Sequence, residues 1–95
     1  MTYDGKYDFD KGWRFGRIVM VGPGTTLPTV ASGDCREGVP ADEVARTSYA
    51  DIRYQNEGRW IRHRIVPIPA DAVIPQGTNV YFDVNDCRKA LVKAS

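Results

Sequence analysis

The chain has 95 residues, of which 42% are hydrophobic and 26% are charged, and its formal net charge is +1. This length suits one domain with a modest core, and the near-neutral charge excludes a global attraction to nucleic acid or anionic membranes. No apolar run approaches the roughly 18 residues of a membrane-spanning helix, and the first residues lack the apolar core of a secretory signal. A mature exported chain, with a leader removed or a lipid anchor upstream of residue 1, remains compatible with this start.

Residues 1–12 interleave aromatic and acidic side chains, which predicts a partly ordered N-terminal arm, with an edge strand as the alternative. Residues 13–95 are predicted to form a single small β-barrel domain. The first strand is expected from Trp13 to Val21, with a bulge at Gly16. Its buried side is predicted to carry Trp13, Phe15, Val19 and Val21.

The chain has two cysteines, and each lies within an Asp-Cys-Arg triplet, at residues 34–36 and 86–88. Glycine and proline predict a long loop over residues 22–42 around Cys35, followed by one helical turn at residues 42–46. A Cys35–Cys87 disulfide would tie this loop to the end of the last strong strand and would contribute about 4 kcal/mol by loop-closure entropy. It would also place the protein outside a reducing cytosol. The alternative is a cytosolic protein with two buried thiols. The residues flanking the cysteines are predicted to be incidental.

The clearest unit is a hairpin of residues 48–55 and 60–66 that turns through Asn56-Glu57-Gly58-Arg59. A single buried face favours a register that places Ile52 opposite His63, with Asp51 opposite Arg64 as a cross-strand ion pair. His63 is then a hydrogen-bonded structural histidine of the core, rather than a catalytic base or a partner of a reactive cysteine.

After the hairpin, prolines predict an irregular connection, and residues 79–85 alternate as a half-buried strand. Residues 88–94 are predicted to form either a short helix or a last short strand. The predicted fold is all-β, a small antiparallel curled sheet or barrel of the SH3-like or OB-like kind, with about five strands and one long loop.

Three stretches occur in order along the chain: Phe15-Gly-Arg-Ile-Val-Met-Val, Tyr49-Ala-Asp-Ile-Arg-Tyr-Gln-Asn-Glu-Gly-Arg and Pro75-Gln-Gly-Thr-Asn-Val-Tyr-Phe-Asp-Val. Their succession resembles the C-terminal β-domain of bacterial glycine-zipper outer-membrane lipoproteins, although the glycine zipper is absent from this chain and paired cysteines are not part of that family's pattern. The resemblance covers residues 15–85 and implies a noncatalytic module facing the periplasm.

No catalytic or metal-binding constellation is predicted, and no cofactor is expected. Zinc sites usually need four Cys or His ligands, or three and a water, and the one histidine and two cysteines of this chain, without Cys-x-x-Cys spacing, give such a site little support. No nucleophile elbow is present.

The strongest functional candidate is a basic aromatic face on the hairpin, because arginine and tryptophan commonly anchor interfaces. Its predicted binding residues are Tyr49, Arg53, Trp60, Arg62 and Arg64. The first hypothesis is a noncatalytic domain of the bacterial cell envelope, in the periplasm or at the outer-membrane periphery, that binds a protein or an envelope polymer. The alternatives are a cytoplasmic module for single-stranded nucleic acid using the same face, and a secreted enzyme inhibitor presenting the loop over residues 22–42. A solvated face without a partner is also compatible with the sequence.

Overall fold

The computed structural model describes residues 2–30, 33–55 and 60–94 and confirms a small, mostly β fold. A two-stranded hairpin at the N-terminus, β1 (Thr2–Tyr3) and β2 (Tyr7–Asp8), precedes the main sheet. That sheet has five antiparallel strands in the order β5-β4-β3-β6-β7. The predicted turn at Asn56-Glu57-Gly58-Arg59 lies outside the described residues. The strands of the main sheet are β3 (Trp13–Pro23), β4 (Ser48–Gln55), β5 (Ile61–Pro67), β6 (Asn79–Asp83) and β7 (Val92–Lys93).

The sheet is curled but open, since the described residues contain no pairing between β5 and β7. Of the two structures predicted for residues 88–94, a short helix or a last short strand, the short strand is observed. Its Val92 lies opposite Tyr81 of β6. The one predicted helical turn is also present, as α1 (Ala41–Arg46) after Pro40. Pro40 is the N-cap residue of this helix and makes no side-chain capping hydrogen bond.

Strand β3 is the centre of the sheet, because its first half pairs with β6 and its second half with β4. The prediction of its buried side was wrong for the first part of the strand: Arg14, Gly16 and Ile18 face the core, whereas Phe15 is 43% exposed. Val21, beyond the register shift, packs against the core as predicted. The predicted bulge was also misplaced, since the register shifts between Ile18 and Met20. Gly16 has a different function, because a Cβ there would lie 2.5 Å from Ile52 Cγ2.

The predicted register of the hairpin was wrong by one residue. Gln55 pairs with Ile61, so that Ile52 lies opposite Arg64 and Arg53 lies opposite His63. The physical reason is that both faces of this hairpin are covered at the end far from the turn, where Tyr49, Ala50, Asp51 and Ile52 are all buried. Because both faces are buried there, the requirement of one buried face does not determine how β4 and β5 pair.

The inner face of the sheet carries the main core. The segment between β5 and β6 and the segment after β6 fold over this face with Ile68, Ile74 and Leu91. These side chains pack on the strands and exclude water from them, which supplies most of the hydrophobic stabilisation of the fold. The strand and loop residues that complete this cluster are Ile18, Cys35, Ala50, Ile52, Val66, Val80 and Phe82.

The predicted disulfide between Cys35 and Cys87 is present and joins residues 52 apart in sequence. Beside it, the loop forms a parallel bridge with the outer edge of β5, where the amide of Cys35 donates to the carbonyl of Ile65 at 2.9 Å. The bond thus holds the long loop on the sheet, as predicted.

The residues flanking the cysteines are not incidental. In each Asp-Cys-Arg triplet the aspartate accepts hydrogen bonds from the backbone amide and the Nε of the arginine two residues later. Arg36 also donates to the carbonyls of Gly24, Leu27 and Pro28 at 2.7, 3.0 and 2.7 Å. The first triplet therefore orders the loop, in addition to supplying its cysteine.

Candidate binding site

The outer face of the sheet is covered at two ends and open between them. At one end, the rings of Tyr3 and Tyr7 stack on Tyr81 of β6, with centroids 5.6 and 5.1 Å apart. The N-terminal arm is thus packed on the sheet in the described residues. At the other end, Leu27 of the long loop forms a second apolar cluster with Tyr49 and Ile65, supported by Val30 and by Val44 of α1.

Between these covers lies a patch of exposed side chains, which we call the uncovered patch. Both Phe15 and Ile61 are more than two-fifths exposed. The patch consists of Phe15, Arg17, Arg53, Ile61 and His63. Because three neighbouring strands contribute to it, the spacing of these groups is set by the sheet.

Arg17 and Arg53 are direct cross-strand partners between β3 and β4. Like charges placed opposite each other on a sheet are destabilising. Neither guanidinium has a hydrogen bond or an ion pair with another of the described residues. The patch therefore presents two adjacent cationic groups that are available to an anion.

His63 continues this row on β5, opposite Arg53. Its Nδ1 lies 2.8 Å from Oδ1 of Asp51, a buried carboxylate whose side chain is 6% exposed. The predicted core position of His63 was wrong, as was the predicted Asp51–Arg64 pair. The hydrogen bond to Asp51 orients the ring and leaves Nε2 for a ligand or for water.

Two shallow depressions adjoin at Ile61, which lines both. The larger, of about 650 Å³, is lined by Arg17 and Arg53 and by the aromatic residues Tyr3, Phe15 and Tyr54. The smaller, of about 440 Å³, contains Asp51 and His63 beside Pro28 and Val30 of the long loop. Together they form a surface that alternates apolar and cationic groups.

The structure separates the five residues predicted for binding. Arg53 lines the larger depression and Arg62 the smaller. Trp60 is 76% exposed at the start of β5.

The other two predicted residues are not on a common exposed face. Tyr49 is buried in the second cluster, where burial raises the pKa of its hydroxyl. Arg64 lies on the inner face opposite Ile52, and desolvation lowers the pKa of its guanidinium. The register error placed Arg64 on the wrong face, whereas Tyr49 lies on the predicted outer face but is covered there by Leu27 of the long loop.

Sequence reasoning missed Phe15 and Arg17 as members of the patch. The available signal was their spacing of two residues within a strand, which places them on one side. The incorrect assignment of the buried side of β3 concealed it.

The described part of the chain holds no group of three or more metal-ligating side chains. It also contains no helix long and apolar enough to span a membrane.

No protein-family model matches the chain, and comparison with curated proteins and with solved structures finds no match. The resemblance to glycine-zipper lipoproteins therefore stays a prediction.

Proposed function

We propose that this domain is a noncatalytic binding module of the bacterial cell envelope that holds an acidic, partly apolar segment of a partner protein on the uncovered patch. The observation that carries the proposal is the pair of opposed arginines, Arg17 and Arg53, which lack an acidic partner among the described residues and lie beside exposed Phe15. An acidic partner would remove their mutual repulsion.

The apolar groups favour a protein segment over a simple polyanion. Phe15 and Ile61 would be covered by apolar side chains of a peptide, whereas a phosphate or sulfate chain would leave them in water. Arginine and aromatic residues are also enriched at the energetic centres of protein interfaces. The length of the surface, two adjoining depressions across three strands, suits an extended segment.

The Cys35–Cys87 disulfide supports a location outside the reducing cytosol, because such bonds persist in oxidising compartments. The periplasm or the periphery of the outer membrane meets this condition. This location also argues against single-stranded nucleic acid as the partner.

The proposal can be tested by titrating labelled extended peptides into the oxidised protein and mapping amide shifts by NMR. We expect a peptide of alternating glutamate and phenylalanine to bind, with the largest shifts at Phe15, Arg17 and Arg53. Replacing its glutamates with glutamine, or its phenylalanines with serine, should weaken binding about tenfold in each case, since each change removes one kind of contact.

An Arg17→Gln and Arg53→Gln double variant should weaken the same peptide at least about tenfold. The matched control is Arg46→Gln with Arg88→Gln, which removes the same charge from two exposed arginines elsewhere. Equal losses in the two variants would show a net-charge effect and contradict the patch. Tighter binding of poly(glycerol phosphate) or oligothymidine than of the peptide would instead identify an envelope polymer or nucleic acid as the ligand class.

A further inference from the structure

Arg64 is a buried cation without a carboxylate partner among the described residues. It is 7% exposed, and its Nε has no hydrogen-bond acceptor there. A buried charge is costly unless it is paired. The polar contact that the structure gives to this guanidinium is from Nη2 to the Sγ of Cys87, at 3.6 Å.

The acids in this part of the molecule are already engaged with other cations. Asp34 pairs with Arg36 and Asp86 with Arg88, each within its own triplet. Asp83, whose negative charge acts on Arg64 without a salt bridge to it, pairs with Lys89 at 3.3 Å. The positive charge at the disulfide therefore has no salt-bridge partner among the described residues.

We infer that the Cys35–Cys87 bond is a redox-active disulfide, and that Arg64 promotes its reduction by stabilising Cys87 as a thiolate. A disulfide is neutral and offers Arg64 only a weak acceptor. Reduction would place a full negative charge within hydrogen-bond distance of the guanidinium, where a cation lowers the pKa of a thiol. Stabilising the reduced form raises the reduction potential of the couple.

The proposed reaction is thiol–disulfide exchange with a small thiol such as glutathione or with a dithiol reductase. An attacking thiolate forms a mixed disulfide with one protein sulfur and expels the other as a thiolate. A second thiol resolves the mixed disulfide and leaves as the oxidised reductant. In total, two thiols become one disulfide while the protein gains two electrons, with Cys35 as a thiol, Cys87 as a thiolate, and one proton released.

The position of the bond gives the exchange a structural effect. Cys87 is an exposed residue after β6. Cys35 is buried, and the loop segment around it is hydrogen-bonded to the edge of β5. Reduction removes the covalent tie between the long loop and the end of β6. The loop that covers Tyr49 and Ile65 then depends on its hydrogen bonds and on the packing of Leu27.

The first test is the equilibrium constant with glutathione, measured for the whole protein by trapping thiols across a series of redox buffers. An Arg64→Met variant, which keeps the length of the side chain, should favour the disulfide by about tenfold over the wild type, or about 30 mV. The matched control is Arg62→Met, two residues along the same strand and exposed, which should leave the constant unchanged. Equal constants for wild type and Arg64→Met would overturn the proposal.

A second measurement does not depend on the folding of an Arg64 variant. In a Cys35→Ala protein, Cys87 is the remaining thiol, and the pH dependence of its alkylation by iodoacetamide reports its pKa. We expect this pKa to lie clearly below the ordinary value of about 8.5. An ordinary pKa in this protein, with Arg64 intact, would overturn the proposal.

Discussion

Asp34 and Asp86 make the same local hydrogen bonds in very different surroundings. Each accepts from the amide and the Nε of the arginine two residues later. The Asp34–Arg36 pair is largely buried, with side chains 19% and 14% exposed, whereas Arg88 is almost fully in water. The buried pair should therefore contribute far more to stability than the exposed one, which solvent and salt screen.

The hydrogen bond from the side chain of Arg36 lowers the pKa of Asp34. Because the folded pKa lies below the unfolded one, ionised Asp34 stabilises the fold above about pH 4, and this contribution is lost as the pH falls through the folded value. Asp34→Asn should reduce the free energy of unfolding at pH 7 by about 1.5–3 kcal/mol. Urea unfolding at pH 7 and pH 3 checks this, since the difference between the variant and the wild type should be smaller at the lower pH.

Asp86→Asn is the matched control for this prediction. The pKa of Asp86 is also lowered, by the backbone amide of Arg88 first and then by its side chain, but this pair is exposed. We expect no measurable change in the urea midpoint. Equal destabilisation of the two variants would contradict the assigned importance of burial.

Individual residues were predicted with uneven success for identifiable reasons. The cysteine pair was predictable because the chain offers one pairing. The Asp51–His63 contact was not predictable, because it is a diagonal contact across the two strands. The residue directly opposite Asp51 is Ile65, and His63 lies two residues before it. The sequence pattern alone does not specify such diagonal contacts when the register is off by one.

At Gly16, the backbone of the central strand β3 lies very close to two residues of β4, Ile52 and Arg53. A Cβ at Gly16 would lie 2.5 Å from Ile52 Cγ2 and 3.0 Å from the carbonyl oxygen of Arg53. Both groups belong to β4, and Ile52 is fully buried. Neither can move without disturbing the core or the strand pairing.

Gly16→Ala should therefore destabilise the protein by about 1–3 kcal/mol through overpacking. Gly22→Ala in the same strand is the control, because its Cβ would meet a single group, Oγ1 of Thr26, at 2.8 Å. The smaller effect, below about 1 kcal/mol, is expected there because a surface hydroxyl can shift. Thermal melts of both variants measure the difference, and similar melting temperatures would show that β3 tolerates displacement.

Strand existence could be predicted from the sequence, whereas the face that each strand buries could not. Alternation and turn residues marked β3, β4, β5 and β6 correctly. The outer face, however, is covered at both ends by segments far away in sequence, the N-terminal hairpin and the long loop. Coverage of this kind arises from tertiary packing and leaves no period in the strands themselves.

The disulfide acts on the whole molecule, because it closes a loop that contains β4, β5 and β6. A Cys35→Ala and Cys87→Ala double variant should lose about 2–5 kcal/mol of stability, mainly because its unfolded chain gains freedom. Urea unfolding with a fixed slope would report this as a lower midpoint. A loss below about 1 kcal/mol would mean that the unfolded state is already restricted in other ways.

The candidate site could be predicted only in part, since a surface patch depends on which residues remain uncovered. Arg53 was identified because it lies on an exposed position under any of the registers considered. Phe15 and Arg17 belong to the patch because the N-terminal hairpin covers the sheet on one side of them and the long loop covers it on the other. Arg64, by contrast, is beside the disulfide because of the observed register.

The Cys35–Cys87 bond also divides the sheet by covalent connectivity. The closed ring of residues 35–87 holds β4 and β6, which do not touch as neighbours; between them lies β3, from the open N-terminal tail. β3 therefore lies between two strands of the ring, and the residues of the ring alone lack the central strand of the sheet. An oxidised chain that refolds therefore has to place β3 between two strands that already belong to one covalent ring.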